Sequence, residues 1–200
     1  MRAGLYIGLV VVCAAVAAGQ TFVYNNFGAN WTYNTGTGYT ISVGAPINSD
    51  WDQGNSFIPS QSGYLTDVWA AVNHVTGDNT MELWLMSDSN GQPGTILETF
   101  KFMNAMVPGG FGGLHPPLHG VASGTTYLDS NKKYWLIAST PGPNSWCAWN
   151  YSLNDFGERA ARQNMGPWTI SQSQKAAFAI AIPEPASLAL LALALGWRRR

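Results

Sequence analysis

Apolar and polar residues alternate along this chain in short runs broken by Gly, Asn, Ser and Pro. That is the two-residue period of half-buried strands rather than the 3.6-residue period of amphipathic helices. Strand-like runs fall at 21–24, 39–43, 64–75, 80–86, 96–102, 133–139, 146–151 and 176–182. In the last of these, Phe178, Ile180 and Ile182 alternate with Ala177, Ala179 and Ala181, so one face is bulky and the other small, as in a buried closing strand. Asp88-Ser89-Asn90-Gly91-Gln92-Pro93-Gly94 lies between two apolar runs and reads as a hairpin connection, because glycine supplies positive φ and proline presets a turn. The Gly/Pro-rich stretch 108–117 reads as a loop. With no helical period and no room for βαβ units, the pattern predicts an all-β domain over 19–182. Its expected form is an antiparallel, jelly-roll-like β-sandwich flanked by an N-terminal signal helix and a short C-terminal hydrophobic helix.

The two flanking runs lack the alternation. Met1-Arg2, an uncharged apolar run over 3–18 and the small residues Ala14-Ala15-Val16-Ala17-Ala18-Gly19 have the three-part layout of a secretory signal, with cleavage expected after Ala17 or Ala18. Cys13 follows Val12 and is not expected to carry a lipid. At the other end, two prolines flank a carboxylate in Pro183-Glu184-Pro185 and predict a stiff, extended hinge. The apolar stretch 186–197 that follows has 12 residues. As a helix it would span about 18 Å, against a hydrocarbon core of roughly 30 Å, so it suits brief rather than permanent membrane contact. Arg198, Arg199 and Arg200 close the chain and would stay on the cytoplasmic side.

Those three parts in order, hinge, Leu/Ala-rich segment and arginine cluster, resemble the PEP-CTERM sorting signal of envelope and extracellular-matrix proteins of Gram-negative-type bacteria. The resemblance covers 183–200. It implies export, transient membrane contact through the tail, and recognition by an exosortase-type sorting enzyme. The partners it implies are that enzyme and the export machinery, and the implied location is the cell envelope, cell surface or matrix.

Composition narrows the body further. Of 200 residues 46% are hydrophobic and 10% charged, against roughly a quarter charged in ordinary domains, which argues against disorder. Four of the ten basic residues lie in the end segments, and the body holds six Lys/Arg against ten Asp/Glu, a difference of -4. Such an acidic surface does not suit nucleic acid. Cys147 is the one cysteine after residue 18, so no intrachain disulfide can form in the body.

Asn55-Ser56-Phe57-Ile58-Pro59, the hairpin 88–94 with Thr95-Ile96-Leu97-Glu98, and Leu128-Asp129-Ser130-Asn131-Lys132-Lys133-Tyr134-Trp135-Leu136 resemble the choice-of-anchor R type of bacterial surface domain. That resemblance implies a β-sandwich and carries no catalytic residues.

Candidate chemistry is sparse. His115 and His119 have the i, i+4 spacing of helical zinc ligands, but Pro116 and Pro117 forbid the helix, so no metal is expected there. His74 is expected to be a packed or edge residue. Asp50 and Asp52 flank Trp51 in what reads as a solvated turn. Asp88, Asn90 and Gly91 open like a calcium loop without its closing Glu. Cys147 has no histidine near it in sequence and reads as a buried structural thiol, and no Gly-x-Ser-x-Gly elbow occurs. No catalytic residue or cofactor is expected, and the one metal the sequence leaves room for is a single calcium on a sandwich loop.

Tryptophan is in surplus. Trp69, Trp84 and Trp135 lie in apolar runs and are expected in the core. Trp51, Trp146, Trp149 and Tyr151, with Asn144 and Asn150 nearby, are the candidate glycan-binding residues, since indole faces stack on sugar C–H faces. Core packing is the competing use of the same rings. Two readings result: a non-enzymatic structural or adhesive envelope protein, or a carbohydrate-binding module that takes polysaccharide through exposed tryptophans. A hydrolase would need two carboxylates, or Cys147 and a histidine, gathered in a pocket.

Overall fold

Every pair of strands among the described residues runs antiparallel, as the short alternating runs and tight turns require. The computed structural model describes residues 19–44 and 47–184. The expected signal helix, the C-terminal hydrophobic helix, Pro185 and Arg198, Arg199 and Arg200 lie outside the described residues. No helix among the described residues is long and apolar enough to cross a membrane.

The strands in chain order are β1 (Gln20–Asn25), β2 (Gly38–Val43), β3 (Trp51–Phe57), β4 (Gly63–Tyr64), β5 (Asp67–Ala70), β6 (Val72–Gly77) and β7 (Thr80–Ser89). They continue with β8 (Gln92–Met103), β9 (Leu118–Val121), β10 (Tyr127–Leu128), β11 (Tyr134–Ser139), β12 (Ser145–Gln163), β13 (Thr169–Ala176) and β14 (Phe178–Pro183). One sheet has the order β1-β14-β5-β9, and the large one β13-β12-β2-β3-β11-β7-β8 with β6 also on β12. A two-stranded ribbon pairs β10 with β4.

One apolar core joins the two main sheets. Val68, Phe178, Ile180 and Ile182 come to it from the four-stranded sheet, and Phe57, Leu83, Leu85, Leu136 and Trp149 from the large one. This is the packing a two-layer sandwich requires. Strand β7 shows why the pattern was readable: Met81, Leu83 and Leu85 are buried while Glu82 and Trp84 between them are only partly so. Strand β11 is buried along its whole length. Its other face, Trp135 and Ile137, meets Met86 and Ala160 in a second apolar cluster. Gly54 makes that close layer possible, since a Cβ there would collide with Leu136 O and lie 2.8 Å from Ile137 Cα.

Three elements depart from the expected layout. The hairpin loop shrinks to the two residues Asn90 and Gly91, with φ of 53° and 81°, and the strands run up to the pair Ser89 and Gln92. The run 64–75 divides into β4, β5 and β6, which join different sheets. Most tellingly, Asp50-Trp51-Asp52 is not a solvated turn, because Trp51 opens β3, which pairs with β2, β11 and β12. Its buried polar groups each find a partner. Asp52 Oδ2 lies 2.7 Å from Arg162 Nε, and Asn55 Nδ2 donates to Tyr39 Oη at 3.1 Å and Glu158 O at 3.0 Å.

Candidate functional site

The four candidate glycan residues do not form one platform. Trp149 is fully buried, its Nε1 donating to Ala177 O at 3.0 Å, so its ring is core and unavailable to a sugar. Alternation along β12 turns Trp146 to the opposite face, where it stands in register with Ser42, and Ser42 in turn faces Trp51. Trp51 and Tyr151 do come together, in a cavity of about 320 Å³ with Tyr39, Gln53 and Arg159.

A different set of rings lines a larger cleft than that one. In β5, Val68 and Ala70 point into the core, so Trp69 between them points away from it. Antiparallel register sets His119 of β9 opposite Trp69, and their rings stack with centroids 4.7 Å apart and planes 2° from parallel. Trp31 closes the other side, its centroid 5.5 Å from that of Trp69. The chain reaches Trp31 through a short 3₁₀ turn, Ala29–Trp31, in which Asn30 and Trp31 both take left-handed φ, 54° and 62°. Such a conformation costs a tryptophan about 1–2 kcal/mol. Edge contacts from Phe27 at 5.0 Å and Phe22 at 5.6 Å hold the indole there.

Rings and a stiff loop enclose about 520 Å³. The loop wall is Leu114-His115-Pro116-Pro117, and Tyr33 anchors it, its hydroxyl accepting from His115 N at 2.8 Å and donating to His115 O at 3.0 Å. At the cleft's edge, His119 Nε2 lies 2.6 Å from Oδ1 of Asp67, a buried carboxylate whose other oxygen accepts from Gln20 Nε2. The apolar run around Trp69 predicts a core position, which the structure corrects: the indole turns away from the core, and His119 beside it stands in β9. The available signal was the alternation Val68-Trp69-Ala70, which puts the indole on the face opposite the core.

Other candidate groups hold structural partners. Asp50 Oδ1 accepts from Gly44 N at 2.8 Å and Asp52 pairs with Arg162. Asp88 accepts from Gly91 N at 3.0 Å and from Trp135 Nε1 at 2.8 Å, so both its oxygens are in use. Cys147 is fully buried, and burial pushes its thiol up to about 11, against a smaller opposing pull from the Ser145 hydroxyl at 3.5 Å. Register puts His74 opposite Cys147, but the imidazole Nε2 lies 2.9 Å from Gly77 O. Among the described residues no three His, Cys, Asp or Glu side chains converge.

Residues 181–200 match the PEP-CTERM protein-sorting motif. The motif marks the chain as an exported, envelope-associated protein processed by an exosortase. No curated protein matches the chain, and no homologue supports the resemblance of its body to choice-of-anchor R domains. The motif begins inside β14, where Ala181 pairs with Phe22 on one side and Asp67 on the other.

Proposed function

We propose that this chain is a non-enzymatic envelope or extracellular-matrix protein whose jelly-roll-like sandwich acts by adhesion, holding saccharide rings in the cleft of Trp31, Trp69 and His119. The observation that carries the reading is that cleft: two indoles and an imidazole, partly exposed and locked by packing, on a sorted and exported chain. Flat apolar ring faces beside a few polar groups suit pyranose rings, whose C–H faces stack while hydroxyls find Asn30, His115 and His119. Rigid aromatic anchors also lose little conformational entropy on binding. The carboxylates and the thiol that a hydrolase would need are held in structural hydrogen bonds or buried.

A glycan array probed with the purified chain and its Trp69→Ala variant tests this. Signal on neutral oligosaccharides that the variant loses, with unchanged far-UV circular dichroism, is the expected result. An array blank for the wild type, or equal for both proteins, overturns the cleft as the adhesive site. Intact mass from an exosortase-bearing host, beside a variant with alanine at 183, 184 and 185, separately reads the sorting step.

A further inference from the structure

Of the six lysines and arginines between 20 and 183, five are paired with an aspartate or glutamate. Arg159 alone has no carboxylate beside it among the described residues. Its guanidinium lies 4.8 Å over the Tyr39 ring and donates through Nη2 to Gln53 Oε1. Its Nε is buried with no hydrogen-bond partner among the described residues. A guanidinium carries five N–H donors and cannot lose its charge, so an incompletely satisfied one in a half-buried position is costly unless something completes it. Arg159 also lines two cavities, of about 320 and 420 Å³, which share it and Trp51. Arg162, in the second, is already neutralised by Asp52. The uncompensated charge therefore sits where an indole, the Tyr151 ring and the Gln53 amide meet, in a space of the size that takes a ring-sized ligand.

We propose that this groove binds a carboxylate-bearing saccharide, a hexuronate unit, with Arg159 taking the carboxylate and Trp51 the ring face. Arg forks match carboxylates in a planar, two-pronged geometry that neutral sugars do not exploit. The proposal adds a second, chemically distinct site to the adhesive reading. It rests on that reading only in choosing a saccharide over a small free acid. A polyuronate matrix would be the corresponding partner surface.

Calorimetry on the purified full chain tests it, with trigalacturonate, the same trimer fully methyl-esterified, and succinate as probes. The free acid is expected to bind roughly 10- to 100-fold more tightly than its ester, the factor a charge-assisted hydrogen bond supplies. That preference should shrink with added salt. Arg159→Gln should erase it, and Trp51→Ala should weaken both trimers. The three wild-type titrations depend on no variant folding. Equal binding of acid and ester, or no binding of either, overturns the proposal and leaves neutral-glycan binding at Trp69 to its own test. Succinate binding as tightly as the trimer overturns the saccharide. Loss of trimer binding in Trp69→Ala but not in Arg159→Gln moves the acid to the other cleft and overturns the assignment.

Discussion

Trp69 and His119 face each other across the β5–β9 pair and stack in parallel at 4.7 Å, while Asp67, two residues before Trp69, holds the imidazole edge at 2.6 Å. Sheet register and a hydrogen bond to a buried carboxylate thus fix the plane of the ring that a ligand would meet. The pair is both wall and support, since Phe22 and Trp31 pack on the same indole at 5.2 and 5.5 Å.

Trp69→Ala should therefore loosen the cleft as well as empty it. Losing a partly buried indole with its aromatic contacts is expected to cost about 1–3 kcal/mol of unfolding free energy, read by urea denaturation. Trp69→Phe should recover most of that stability while recovering little saccharide affinity. Equal loss of both in the two variants would show that the ring serves packing alone.

Glu158 ties three neighbouring segments of the large sheet together. Its Oε2 lies 2.7 Å from Lys133 Nζ and accepts from Ser56 Oγ at 2.8 Å. Burial pushes its carboxyl up, but hydrogen bonds from Lys133 and Ser56 outweigh that and hold it below the ordinary 4.5. A carboxylate depressed in the folded state adds stability that is full above its unfolded pKa and lost as pH falls through the folded value. Melting temperature should accordingly fall as pH drops below about 4.5, and Glu158→Gln should flatten that limb. An identical acid profile in the variant would assign the loss to other carboxylates.

Burial raises the Cys147 thiol from 9.0 to about 11, so the folded chain keeps it protonated where an unfolded chain does not. The unfolded state then releases its proton first, and this group's contribution to stability shrinks as pH rises from about 9 toward 11. Iodoacetamide at pH 8 should leave the native chain unlabelled for hours and modify it rapidly in denaturant. Fast native labelling would place the thiol in an open, reactive setting.

How much was legible depends on whether a residue's partner is near or far along the chain. The β7–β8 hairpin could be read from Asn90-Gly91 alone, and the buried face of β14 from Phe178, Ile180 and Ile182. Strand β3 could not, because Asp52 and Asn55 look like loop residues until Arg162 and Glu158, more than a hundred positions later, come beside them. Trp149 and Trp51 likewise look alike in sequence. What separates them is that Trp149 faces the core beside Phe178 while Trp51 lines cavities with Arg159. The cleft of Trp31, Trp69 and His119 draws on three distant segments, and only the outward turn of Trp69 was locally encoded.

The overlap of the sorting motif with β14 sets a limit on where the tail can be cut. β14 lies between β1 and β5, and its Phe178, Ile180 and Ile182 are 0, 1 and 3% exposed. Burying three such side chains contributes about 5–9 kcal/mol, comparable with the whole stability of a typical domain. Ending the chain after Glu184 should leave the melting temperature within a few degrees of the full chain, because every strand among the described residues is retained. Ending it after Ala177 should abolish the cooperative transition. Intact mass of the processed protein should therefore show Pro183 retained. A processed species that ends before Phe178 yet melts cooperatively would mean that the closing strand is dispensable and that the core is held by the remaining strands.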